Sequence, residues 1–319
     1  MQIRILSADD VKKALPITKA IEAMKIAYGQ LSAGQAKVPI RHQISTDKGD
    51  TLFMPAYLSK THDLGIKVVS IYGDNPSKGL PRITATVLVI DPETGLPKAF
   101  MDGSSLTAIR TGAGGGLAVE LLSRPNSETV ALFGAGIQAR TQLQAVMAVR
   151  KISYVYIISR TQASAQKLAE EIATWSYTPI VDTTSTSQEA VSNADIVITA
   201  TTSSTPLFDG NDLKPGTHIT AIGSYTPEAR EVDSITAQKA RVVVDSREAC
   251  LIEAGDILIP GVQIDAEIGE IVNGDKPARQ SDDEITLFKS VGVAVQDIAS
   301  ASIVLNEAEA LGLGKIIDI

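Results

Sequence analysis

The chain of 319 residues carries 37 acidic against 29 basic side chains, a formal net charge of −8, which excludes the broad basic surface that nucleic-acid binding needs. A single cysteine, Cys250, excludes an intrachain disulfide and a multi-cysteine zinc site, and His42, His62 and His218 are not at metal-ligand spacing, so no metal is expected. No apolar run reaches membrane-span length and the opening MQIRILSADD lacks a signal-peptide core, so the expectation is a cytoplasmic chain, long enough for two domains, with neither membrane nor nucleic-acid partner.

The first part reads as a helical region over 14–32, then strands over 38–44, 51–58, 65–72, 83–90 and 98–101, some joined by hairpin turns such as the one from Asp91 to Gly95. This predicts a mixed or antiparallel sheet in an α+β domain. Three cations stand out. Lys67 interrupts the apolar strand LGIKVVSIY; it either faces solvent on an alternating strand or lines a polar pocket that tunes it for proton transfer. Arg110 lies in SSLTAIRTGAGGGLA, whose small residues permit close approach of backbone or ligand; the alternative is a surface helix arginine. Arg41, in KVPIRHQI, is either a strand-edge charge or the third member of a clamp for a carboxylate substrate, since guanidinium groups grip carboxylates bidentately. A domain boundary is expected near residues 123–126, where proline and asparagine follow a long helix.

Beyond that boundary the pattern changes. The apolar run 129–133 leads into Gly134-Ala135-Gly136-Ile137-Gln138-Ala139 and then a helix to 149. Here Gly134 makes the tight turn, Gly136 lets backbone approach a pyrophosphate, and Ala139 lets the helix pack close to the strand. A strand at 153–158, a helix at 161–173 and strands at 194–199, 218–222 and 242–245 continue the alternation. That alternation predicts a Rossmann-type doubly wound parallel sheet binding a dinucleotide. The second strand ends in Ser159, Arg160 and Thr161, with no acid to meet the ribose hydroxyls of NAD, so NADPH is favoured over NADH. Thr201 and Thr202 follow the strand at 194–199, where ligands bind in such sheets. His62 and His218 are taken as structural, and Cys250 as a packed small residue. The tail from 283 to 311 has helical spacing through Ile285, Phe288, Val291, Val295, Ile298 and Ile303 and is expected to return to the first domain. The predicted domains are therefore 1–123 with 296–319, and 124–295.

Taken together, LGIKVVSIYGDNPSKGLPRITATVLVIDPETGLPKAFMDGSSLTAIRTGAGGGLA, VALFGAGIQAR, DSREACLIEAGD and DEITLFKSVGVAVQD resemble the ornithine cyclodeaminase/mu-crystallin family along nearly the whole chain. The resemblance implies a homodimer of subunits with a Rossmann-type domain and an N-terminal substrate and dimerisation domain that the C-terminal helix rejoins. It implies carboxylate-binding roles for Arg41 and Arg110, an active-site role for Lys67, and a phosphate loop carrying Gly134, Gly136 and Ala139. It also places Ser290 and Gly292 near the nicotinamide. Cyclodeaminases and the alanine dehydrogenase of this family look like GGDCPG or GADxPG where this chain reads Gly223-Ser224-Tyr225-Thr226-Pro227. Tyr225 stands where their aspartate handles the substrate amine, whereas Gly223 and Ser224, expected at the cofactor, belong to the version seen in ketimine reductases. The expected activity is therefore NAD(P)H-dependent reduction of a cyclic imino acid, Δ1-pyrroline-2-carboxylate or Δ1-piperideine-2-carboxylate, to L-proline or L-pipecolate. The alternatives are an NAD-dependent alanine dehydrogenase or ornithine cyclodeaminase, and a non-catalytic, crystallin-like ligand-binding protein.

Overall fold

Two kinds of hydrophobic pattern give two kinds of sheet. In the computed structural model, which describes residues 2–319, the chain folds as two compact units, Met1–Arg110 with Val293–Ile319, and Thr111–Gly292.

The first unit holds β1 (Gln2–Leu6), α1 (Ala8–Ala14), α2 (Ile17–Ser32), β2 (Ala36–Lys37), β3 (His42–Thr46), β4 (Gly49–Leu58), β5 (Asp63–Ile71), β6 (Ile83–Ile90) and β7 (Pro97–Asp102). It also holds the first part of α3 (Gly103–Leu122) and, after the second unit, α11 (Ala294–Leu311) and β16 (Lys315–Asp318). The strands order as β16-β1-β7-β6-β5-β4-β2, with β3 paired to β4; only β1 and β7 run parallel. Alternation in β6 buries Ala85, Val87 and Val89 and turns their neighbours outward, as a half-covered sheet requires. Helix α11 covers the buried face of β4, β5 and β6 and packs on α2. Ser7 caps α1 through a reciprocal bond with Asp10, and Pro16 separates α1 from α2.

The second unit carries β8 (Thr129–Phe133), α4 (Ile137–Val149), β9 (Tyr154–Ile158), α5 (Gln162–Ile172), β10 (Ile180–Asp182), α6 (Ser187–Asn193), β11 (Ile196–Thr199), β12 (His218–Ala221) and α7 (Ser234–Lys239). After these come β13 (Arg241–Val244), α8 (Arg247–Glu253), α9 (Gly255–Leu258), β14 (Ala266–Glu267), α10 (Ile268–Val272) and β15 (Thr286–Lys289). The sheet is wholly parallel in the order β10-β9-β8-β11-β12-β15-β13-β14. Both of its faces are dry: in β8, Ala131 and Phe133 enter one apolar cluster while Val130 and Leu132 enter the other. The strand order reverses beside β8, which makes the carboxyl ends of β8 and β11 the switch point where ligands bind in doubly wound sheets.

Several expectations change. The run 283–311 is not one helical stretch: Thr286–Lys289 is the β15 strand, and the helix begins only at Ala294. A four-residue apolar run buried on both faces has no periodicity to separate strand from helix. The expected strand at 38–44 is broken, because residues 38–41 lie outside any strand and only His42–Thr46 pairs with β4; Pro39 has no N–H to give a ladder. The crossing between units falls inside α3, at Arg110/Thr111, and not at 123/124. Small residues explain it: a Cβ on Gly112 would meet Thr141 backbone at 2.5 Å and one on Gly115 would strike the Gln142 side chain, so this half of α3 seats directly on α4. The return crossing falls at Gly292/Val293.

Gly134 has φ +109° and a Cβ there would meet the Ala200 carbonyl oxygen at 2.4 Å. Gly134→Ala is therefore expected to destabilise the protein by about 1–3 kcal/mol, the scale of a side chain forced into a left-handed or clashing backbone, read as a lowered midpoint in denaturant unfolding.

Candidate functional site

The second unit presents a loop shaped for a phosphate group. β8 ends at Phe133, and Gly134 turns the chain with its N–H donating to Ile158 O at 2.8 Å. Gly136 is the N-cap of α4 and offers no side-chain cap; a Cβ on it would meet nothing within 4 Å. The first amides of a helix have no intrahelical acceptor, so the open surface over Gly136 faces unsatisfied N–H groups that suit an anion. Ala135 and Gln138 are half-buried beside it, Ile137 is exposed, and Ala139 is sealed into the apolar cluster under the helix. The residues present thus fit the pyrophosphate of a dinucleotide.

At the end of β9, Ser159 is half-buried and Arg160 is exposed with no side-chain partner among the described residues. Thr161 is the N-cap of α5, its Oγ1 accepting from Ser164 N. Arg160 is thus the cation without a side-chain partner at this strand end.

Carboxylates that the sequence reading did not single out organise the other strand ends. Glu231, fully buried, accepts from Thr199 Oγ1, Thr201 N and Oγ1, and Gly223 N at 2.6–2.9 Å, joining the loops after β11 and β12. Burial outweighs these bonds and raises its pKa above the usual glutamate value. Asp256 accepts from the backbone of Glu231 and Val232 and from the Ser224 hydroxyl, and pairs with Lys289 at 2.7 Å. Burial pushes its carboxyl up, but the Lys289 charge and the bonds from Lys289 and Ser224 win and hold it below the usual range. Asp245 takes Ser290 Oγ, Val291 N and Gly292 N at 2.7–3.0 Å. The hydroxyls of Thr201, Ser224 and Ser290 are thus engaged by internal carboxylates; Thr202 is exposed. Lys289 carried the same signal as Lys67, a lysine within an apolar strand.

His218 is buried with its ring between Thr286 Oγ1 and Thr220 Oγ1, at 2.8 and 2.9 Å. Burial, with Arg279 and Arg150 nearby, lowers its pKa to about 3, so it stays neutral and serves structure. His62 adopts φ +57° in a turn, its Nδ1 3.3 Å from Tyr57 Oη. Cys250 is buried and its thiol is pushed well up by burial and the neighbouring Asp245, which leaves it unreactive.

The first unit gathers the three cations. Lys67 lies mid-strand in β5 on the buried face, 2% exposed, between Met54 of β4 and Val87 of β6. Its Nζ pairs with Asp297 Oδ2 at 2.7 Å, and Arg110 Nε donates to the other oxygen, Oδ1, at 3.0 Å. Arg110 Nη1 donates to Gln296 Oε1 at 2.8 Å, and Gln296 Nε2 reaches Tyr28 Oη at 2.6 Å. Burial lowers the Lys67 pKa to about 8; Arg110 and Arg41 push the same way and Asp297 opposes them. Arg41, in the segment before β3, is half-buried and close enough to act on Lys67. Lys67 and Arg110 thus share one buried carboxylate, two cations against one anion, an excess of positive charge that an anionic ligand would neutralise. Arg110 Nη2 has no partner among the described residues. Asp297 and Gln296 were missed because they sit in the apolar stretch VGVAVQDIAS; a carboxylate inside such a run is itself a signal.

Along its length the chain is similar to characterised proteins. A Δ1-pyrroline-2-carboxylate reductase of Bacillus cereus is 37% identical over 98% of this chain and 99% of its own length. The structure of Thermococcus litoralis Δ1-pyrroline-2-carboxylate reductase in complex with NADH and L-proline superposes with a TM-score of 0.93 at 42% identity, covering 98% of this chain and 99% of that one. An archaeal alanine dehydrogenase dimer with bound NAD also gives 0.93, at 33% identity over the whole of both chains. The model of the ornithine cyclodeaminase/mu-crystallin family matches residues 1–311, and this chain belongs to that family.

Proposed function

We propose that the protein reduces a cyclic imino acid, Δ1-pyrroline-2-carboxylate or its six-membered homologue, to L-proline or L-pipecolate with a reduced nicotinamide cofactor. The observation that carries this reading is the pairing of both Lys67 and Arg110 with the single carboxylate of Asp297, two cations on one anion, which leaves positive charge for a substrate carboxylate. Its likeness to two Δ1-pyrroline-2-carboxylate reductases supports the choice of imine. Arg110 Nη2 and Arg41 hold the substrate carboxylate, and the Lys67 ammonium keeps the imine nitrogen protonated, directly or through a water, so that C2 is electrophilic. When bound, the reduced nicotinamide supplies the hydride. The amides over Gly136 hold its pyrophosphate. Tyr225, 48% exposed, supplies no carboxylate at the place where the alanine dehydrogenase and cyclodeaminase motifs carry one, which disfavours release of ammonia from a free amino acid. The unpartnered Arg160 supports a preference for NADPH over NADH. The reading also includes a homodimer, as in the archaeal alanine dehydrogenase, and a cytoplasmic location.

The deciding assay follows NAD(P)H absorbance with Δ1-pyrroline-2-carboxylate. Oxidation of the cofactor with formation of proline is the expected result; ammonia release from alanine or ornithine with NAD, and no imine reduction, would replace the reading with the dehydrogenase or cyclodeaminase. Lys67→Met is expected to lower kcat by about 10²–10⁴-fold, the range of a positioned acid–base group, with cofactor affinity unchanged by fluorescence titration. Arg160→Ala should raise the KM for NADPH about tenfold, the worth of one charge-assisted hydrogen bond, and leave NADH little affected.

The pKa of Lys67 also predicts opposite trends for activity and stability. The ammonium is lost as pH rises through about 8, so kcat/KM should fall above that value. Unfolded, the same lysine keeps its proton up to its ordinary 10.5, so between the two values the unfolded chain binds more protons and this residue's contribution makes the fold more stable as pH rises. Denaturant unfolding of wild type and Lys67→Met across that window isolates the contribution.

A further inference from the structure

We infer that Asp297 is the positioning residue of this site: its carboxylate, fixed at the start of α11, holds the Lys67 ammonium and the Nε edge of Arg110 in one frame, leaving Arg110 Nη2 to the substrate. This rests on the imino acid reductase reading and adds a group to it that does not itself touch the substrate.

The geometry is specific. The two oxygens of one carboxylate divide between two cations, Oδ2 to Lys67 at 2.7 Å and Oδ1 to Arg110 at 3.0 Å. Asp297 is fully buried and Lys67 nearly so, so neither relies on water for its charge. Gln296, one residue earlier, holds Arg110 Nη1 and closes the first turn of α11 by accepting from Val293 N at 2.9 Å. Tyr28 of α2 then fixes the Gln296 amide. Asp297 also lies in the first turn of α11, where the helix dipole favours a negative charge. The charged groups facing Lys67 are Asp297 from α11, Arg110 from α3 and Arg41 from the segment before β3. Asp297 is the one that favours the ammonium, while burial and both arginines disfavour it. Removing the carboxylate therefore weakens the hold on two cations at once and moves the loss of the ammonium to lower pH.

Asp297→Asn keeps the shape and removes the charge, and Asp297→Glu keeps the charge and tests rescue. Two readouts are taken on the full-length protein: kcat/KM against pH with Δ1-pyrroline-2-carboxylate, and the NMR titration of the Lys67 ε-methylene in lysine-labelled protein without substrate. The expected result for Asp297→Asn is a falling limb and a Lys67 titration both displaced to lower pH by about one unit or more, with about tenfold lower kcat/KM at neutral pH. Asp297→Glu should move both back toward wild type. An Asn variant with lowered thermal stability but an unmoved limb and titration would overturn the proposal and leave Asp297 a packing residue. Should Asp297→Asn not fold, Asp297→Ser is read in the same way: a Lys67 titration displaced to lower pH supports the assignment, and an unmoved one overturns it. A wild type without imine turnover would remove the parent reading, while the titration would still show whether Asp297 holds the Lys67 charge.

Discussion

Lys67 sits where β5 would otherwise hold an apolar side chain, and its ammonium has left water. A lone buried charge of this kind is costly by several kcal/mol and is tolerated only when it is paired or surrendered. Asp297 supplies the pairing, and its other oxygen is taken by Arg110. Because the arginine needs a second acceptor, Gln296 supplies one, and Gln296 in turn needs Tyr28. The start of α11, the middle of β5, the end of the first part of α3 and the inner face of α2 are therefore fixed relative to one another by one chain of polar contacts. The aliphatic packing of α11 on β4–β6 brings these elements together; the polar chain sets their register.

The second unit solves a related problem with different means. Its strand ends carry polar loops whose N–H and O–H groups must find acceptors. Glu231, Asp256 and Asp245 gather the loose N–H and O–H groups there, and Lys289 balances one of those charges from inside the sheet. The dinucleotide loop itself contains no such scaffold. Gly134 is bent by its own backbone and Gly136 is left bare, so the rigid carboxylate-tied loops lie along the same edge of the sheet as an open cradle.

Much of this was legible in the sequence. The β-α-β alternation from residue 129 and the glycines after it predicted the parallel sheet and the tight turn into α4, because a strand buried on both faces and a tight Gly turn each leave a local signature. Lys67 and Arg110 stood out as charges among apolar or small residues. What local pattern could not give was the face on which Lys67 points, since that depends on α11, which the chain reaches only after residue 293. For the same reason Asp297 was passed over: its partner is far away in sequence, and alone it reads as an acid in the first turn of a helix. β1 and β16 were missed because each is short and finds its pairing across the length of the chain. The strand Thr286–Lys289 was read as helix because four buried residues carry no period.

The place where α3 changes units has a further consequence. The chain leaves the first unit immediately after Arg110 and returns to it at Val293, within one helical turn of Asp297. The bond between those two residues therefore closes the chain around the whole of the second unit. During synthesis Lys67 and Arg110 emerge early, but the carboxylate that balances them does not exist until every residue of the second unit has been made. Until then the nascent first unit carries an unanswered lysine and lacks the helix that covers its sheet. The second unit, by contrast, has all its strands before α11 appears, so the order of translation favours completing the Rossmann-type sheet first and the cationic cluster last.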